Sequence, residues 1–212
     1  MGIRDSYLDV ADSAAGLLAD PAVAAAWDEP SALRYYQVSG LAGHLAGQIF
    51  FIDRVLAAPV PDEPPIPLLE YYGRVTWLTA DQDDPVHVRI RTGSVQSAAD
   101  GPAALADRAR ATVAELRSAL PAAPADRTVR LPTWGPWSVR LDDFVTSRLL
   151  ELVVHLDDLA VSVGVAMPPL PAPATETVID VLSRLAVRRH GTTAVIRALS
   201  RAERAPATIA AF

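Results

Sequence analysis

Cysteine and lysine are both missing from this 212-residue chain. Without cysteine there are no disulfides, no thiolate metal sites and no cysteine nucleophile, so any thiol chemistry must use a thiol supplied from outside. Without lysine, all 19 basic residues are arginine, and with the abundant alanine and proline this points to a G+C-rich, bacterial-looking coding sequence. A long uncharged apolar run is also absent: Glu151, Asp157 and Asp158 interrupt the best candidate, so no segment reads as membrane-spanning. The first residues lack the basic run and apolar core of a secretory signal. Met1-Gly2-Ile3-Arg4-Asp5-Ser6 has the form of a myristoylation site, but so short a motif in a chain of this composition is discounted. Positive charge is not in excess either. A net charge of -6 and a pI near 5.1 argue against nucleic acid or an anionic membrane as the main partner. The expectation is a soluble, cytoplasmic protein, with a homodimer left open.

Half of the residues are hydrophobic, enough for one sizeable core with an appendage. Apolar positions recur at helical spacing over Asp5 to Leu18, through Tyr7, Val10, Ala14, Leu17 and Leu18, and Asp20-Pro21 closes that helix. Ala22 to Trp27 reads as a short helical turn. A second long helix is expected over Leu41 to Ala57, with Ser39 as its N-cap. A proline-rich connection spans Pro59 to Pro67, and Leu68 to Thr79 reads as a short aromatic helix lying against the rest. Pro85-Val86-His87-Val88-Arg89-Ile90-Arg91 alternates apolar and polar residues. That spacing predicts a short strand or extended edge with His87 facing solvent.

Gly101-Pro102 opens a third long helix, to about Leu120, with Leu105, Ala109, Val113 and Leu116 on its buried stripe. Leu141 to Val163 is the fourth. After a linker at Pro168 to Pro173, a fifth helix runs to His190, where Arg188, Arg189 and Gly191 suit a helix C-terminus and account for His190 without a metal. Thr193 to Ser200 adds a short helix. Four long amphipathic helices with a long crossover between the second and third describe an all-α four-helix bundle. The expected division is a bundle over residues 1–165 and a short helical extension over 166–212.

The most informative stretch is Arg148-Leu149-Leu150-Glu151-Leu152-Val153-Val154-His155-Leu156-Asp157-Asp158-Leu159. Helical spacing puts Glu151 and His155 one turn apart on one face, within a helix that is apolar almost all the way round. A carboxylate and an imidazole in such a setting need compensation. A simple ion pair between them would serve. A third candidate, His44, lies in another apolar helix within Ser39-Gly40-Leu41-Ala42-Gly43-His44-Leu45-Ala46-Gly47-Gln48. Two histidines and one glutamate form a set that suits a divalent metal and leaves a coordination position open, as in catalytic zinc sites. The same two-His-one-carboxylate set also suits iron.

These two motifs, in this order, resemble those of the mycothiol-dependent maleylpyruvate isomerase family, within the wider DinB/YfiT-like group. The second runs from Thr146-Ser147-Arg148 to Asp158-Leu159-Ala160, and the closing Arg197 to Pro206 segment is similar to actinobacterial members. The resemblance implies a DinB-like bundle with a divalent metal, usually zinc, held by His44, Glu151 and His155. It also implies mycothiol as the external thiol, with an electrophilic small molecule as its partner. The named isomerase carries a further C-terminal α/β domain, and this chain ends about where that domain would begin. Thiol S-transfer or another metal-assisted reaction is therefore expected in preference to maleylpyruvate isomerisation. A non-catalytic metal- or ligand-binding stress or resistance protein and a metal-dependent hydrolase are the alternatives.

Asp158, Arg148, which lies three residues before Glu151, and Gln48 are candidates to support the site. Asp158, three residues after His155, would orient a ligand or form a salt bridge with Arg148 or another arginine. Gln48, one turn after His44, would contact a metal-bound water or join two helices. Trp134-Gly135-Pro136-Trp137 would line a pocket mouth or staple its loop to the core.

Overall fold

A computed structural model describes residues 2–131 and 135–211. Among these residues the helices are α1 (Ile3–Leu18), α2 (Pro21–Ala25), α3 (Val38–Ala57), α4 (Leu68–Arg74), α5 (Pro85–Ser97), α6 (Pro102–Ala122), α7 (Leu141–Val163), α8 (Ala172–His190) and α9 (Thr192–Ser200). One short antiparallel ribbon, β1 (Thr128–Val129) with β2 (Val139–Arg140), pairs Thr128 with Arg140 and Val129 with Val139. None of the described helices is long and apolar enough to cross a membrane.

The bundle consists of α1, α3, α6 and α7. Helix α1 packs against α6 and α7, and α3 packs against the same two from the opposite corner. Tyr7, Leu18, Leu41, Leu45, Ile49, Ile52, Leu116, Leu120, Leu141 and Leu149 are fully enclosed between them. Helix α7 is deeply inserted: Leu149, Leu150, Leu152, Leu156 and Leu159 are all inaccessible. Each such leucine contributes about 1.5–3 kcal/mol relative to an exposed one. The helix stops at Gly164, whose φ of 70° is the left-handed cap that glycine adopts without strain. Beyond it α8 packs on α7 and α1, and α9 on α8.

The all-α bundle and its long crossover are as the sequence implied. Two local expectations are corrected. Residues 85–91 are not a strand. They form the first half of α5, where the Asp84 side chain accepts from the Val86 N–H and Pro85 occupies the first turn. The inward positions of this helix are Val86, Ile90, Ser94 and Ala98, a four-residue period, while Val88 is 46% exposed. Ser39 is not the N-cap of α3 either. The helix begins at Val38 with Gln37 at the cap, and the N–H groups of Val38 and Ser39 donate to the carbonyls of Glu29 and Trp27. With these groups satisfied by the preceding loop, no capping side chain is needed.

The crossover between α3 and α6 holds α4, a single 3-10 turn at Thr76–Leu78, and α5. Helix α5 lies along α3, and Gly43 makes the approach feasible: a Cβ there would stand 2.1 Å from the carbonyl oxygen of Ser94.

Candidate metal centre

His44 comes from α3, and Glu151 and His155 from α7; the packing of these helices brings the three together. One ligand-type atom from each lies within 4.8 Å of the other two. Glu151 Oε2 is 3.3 Å from His155 Nε2 and 3.8 Å from His44 Nε2. The two imidazole rings meet edge to face, with centroids 4.5 Å apart. All three side chains are largely buried, Glu151 to 8% residue exposure.

Both outward-facing nitrogens are also engaged. His155 Nδ1 lies 2.9 Å from Asp158 Oδ2, and His44 Nδ1 lies 3.2 Å from Ser94 Oγ on α5. Tyr36 leans on the His44 ring, centroid to centroid 5.8 Å. Gln48 donates from Nε2 to the His44 carbonyl at 3.0 Å, and its Oε1 accepts from Arg148 Nη1 at 2.5 Å. Asp158 thus sits against His155 and not against Arg148, which is turned to Gln48 and to the faces of Phe51 and Phe144.

Burial alone would raise the Glu151 carboxyl, but the adjacent His155 and His44 imidazoles and the Arg148 charge hold it far below the usual range. His155 is the reverse case. Burial disfavours its charge, yet Asp158 and Glu151 outweigh this and push the ring up to about 9. Burial, then the neighbouring His155 charge, pushes His44 down, so this ring is neutral near pH 7. The set therefore contains one firm anion, one imidazole held towards its neutral form and one whose charge the two neighbouring carboxylates favour.

These residues fit a divalent metal ion. Around a tetrahedral centre with bonds of about 2.0–2.2 Å, ligand atoms stand roughly 3.3 Å apart. The observed 3.3 and 3.8 Å from Glu151 are near that spacing, and the three ligand-type atoms all lie within 4.8 Å of one another. The ligand types match as well, since imidazole nitrogen and carboxylate oxygen are both zinc donors. The group lines an open cavity of about 1910 Å³, with Tyr36, Phe51, Tyr72 and Trp77 among its walls.

Residues 7–160 match the family model described as the mycothiol maleylpyruvate isomerase N-terminal domain. The chain belongs to this family. Neither the curated proteins nor the solved structures yield a match. All three metal-type residues, and the partners Gln48, Ser94, Arg148 and Asp158, fall inside the stretch that matches the mycothiol maleylpyruvate isomerase N-terminal domain.

Within that domain, Ser94 and Tyr36 are the two site residues that sequence reasoning missed. Ser94 stands on the helix whose first half, residues 85–91, was expected to be a strand, and the Asp84-Pro85 pair was the available sign of a helix start. Tyr36 lies in the α2–α3 connection and carries no motif. His87 is not solvent-facing: it is half-buried in α5, and its Nε2 is enclosed without a hydrogen-bond partner among the described residues. His190 ends α8 and donates from Nε2 to the Ala210 carbonyl at 2.8 Å, away from the three ligand candidates. Trp134 lies outside the described residues. Trp137 packs on the core beneath Arg74 and does not line the cavity of the metal-type group.

Proposed function

We propose that this chain is a metal-dependent enzyme that uses mycothiol as an external thiol, transferring it to an electrophilic small molecule or isomerising that molecule through it. His44 Nε2, Glu151 and His155 Nε2 are the ligands in this reading, and zinc is the metal their chemistry favours. The observation that carries it is the convergence of these three side chains on a cavity wall, in a member of a family named for a mycothiol-dependent isomerase. When bound, such a cation lowers the pKa of a thiol sufficiently for it to react as a thiolate near neutral pH.

The remaining roles belong to the chain itself. Glu151 supplies a fixed negative charge that balances the cation. Asp158 and Ser94 hold the two imidazoles from behind, so that their Nε2 atoms face inwards. Aromatic side chains along the cavity, Tyr36, Phe51, Tyr72 and Trp77, offer apolar faces against which a small substrate can pack. None of the three ligand residues acts as an acid or base in this scheme. The chain has no thiol of its own, so the sulfur that attacks comes from the cosubstrate.

The test is turnover of a panel of small electrophiles by metal-loaded protein, with and without mycothiol. Thiol-dependent conversion is the expected result. Turnover without thiol would instead make the site hydrolytic, and no turnover in either case would point to a binding protein.

A further inference from the structure

We infer that Ser94, on the crossover helix α5, is a positioning residue that locks His44 in the tautomer with hydrogen on Nδ1 and thereby presents the Nε2 lone pair to the metal site. The inference rests on the proposed ligand role of His44 for its consequence, but the tautomer itself is fixed by contacts in the protein.

A serine hydroxyl has one proton to donate and two lone pairs to accept. Ser94 Oγ donates to the Ile90 carbonyl, 2.8 Å away on the preceding turn of α5. With its proton on that carbonyl, the oxygen faces His44 Nδ1 at 3.2 Å as an acceptor. Nδ1 then carries the hydrogen. The opposite side of the ring agrees through a longer and weaker contact. Gln48 Oε1 is occupied by Arg148 Nη1, which orients the amide so that its NH2 faces His44, 3.4 Å from Nε2. A donor in that position matches a bare lone pair on Nε2 and opposes an N–H there. The alternative acceptor for an Nε2–H, Glu151 Oε2, stands at 3.8 Å, too long for a hydrogen bond.

The arrangement differs from that of His155, whose Nδ1 is held by a carboxylate on its own helix. His44 depends on a different element. Ser94 reaches it because α5 crosses α3 at Gly43, where no Cβ intervenes. The crossover helix, outside the four helices of the bundle, thus sets the orientation of one ligand.

Long-range proton–nitrogen NMR of the metal-free protein reads the tautomer directly. Wild type should show His44 protonated at Nδ1, Ser94→Ala should shift it to the Nε2-protonated form or a mixture, and Ser94→Thr, which keeps the hydroxyl, should restore it. In parallel, zinc affinity should fall about 10- to 100-fold in Ser94→Ala, the usual effect of removing such a partner, and recover in Ser94→Thr. An unchanged tautomer in Ser94→Ala would overturn the inference. Wild-type protein that binds no zinc would overturn the ligand reading instead, while the tautomer comparison would still decide the role of Ser94.

Discussion

Arg148 on α7 donates from Nη1 to Oε1 of Gln48 on α3 at 2.5 Å, inside the core and between the two helices that carry the metal-type residues. Arg148 is only 3% exposed, so its charge depends on this amide, on the Phe51 and Phe144 ring faces and on nearby Glu151. The contact does more than join two helices, because the same Gln48 side chain donates to the backbone of His44.

Replacing Gln48 by Leu should therefore destabilise the fold by about 1–3 kcal/mol, the cost of leaving a buried donor short of its acceptor. For a chain of this size that is roughly 2–4 °C of Tm per kcal/mol. Chemical denaturation with and without zinc would check it. Zinc affinity should fall as well, because the His44 backbone loses its tie to α7.

Gly43→Ala should damage the site from the other side. Its Cβ would stand 2.1 Å from the Ser94 carbonyl oxygen and 3.0 Å from the Ser94 carbonyl carbon, and both are backbone atoms that cannot rotate away. Helix α5 must shift outwards, at a cost of about 1–3 kcal/mol. The measurement is a thermal melt together with the crystal structure of the variant, and the expected result is Ser94 displaced from His44. Gly93→Ala, within the same helix but where a Cβ meets nothing within 4 Å, is the control that should leave Ser94 against His44 and, if anything, raise the melting temperature.

The metal-free protein should lose stability as the pH rises through about 9. His155 is raised to about 9 in the folded state, above its unfolded value of about 6.5. Its stabilising share is fully present below the unfolded pKa and is lost as pH climbs through the folded one. Urea denaturation from pH 6 to 10 should show this decline in wild type and a flatter profile in His155→Gln. Metal must displace that same proton, so zinc affinity should rise with pH up to about 9, by close to tenfold per unit for one proton. An affinity independent of pH over that range would mean that His155 is not a ligand.

Much of the architecture was legible in the sequence, and the exceptions have physical reasons. Helix α7 was read to its last residue because its leucines are apolar all the way round, and the structure buries them all and ends the helix at Gly164. Helix α5 was not, because Val86, Val88 and Ile90 satisfy a period of two over seven residues although only Val86 and Ile90 face inwards. The three metal-type residues were found because each interrupts an apolar helix, where a charge or imidazole demands a reason. Ser94 and Tyr36 interrupt nothing. Their part in the site comes from the close crossing at Gly43 and from the loop before α3, long-range relationships that no local spacing encodes.

The central claim is that His44, Glu151 and His155 hold one divalent metal ion. Elemental analysis of protein purified without chelators, for wild type, His44→Ala and His155→Ala, tests it most directly. About one equivalent of zinc is expected in wild type, with most of it lost in both variants and helical circular dichroism retained. Stoichiometric metal in both variants, or none in wild type even after incubation with zinc, would contradict it.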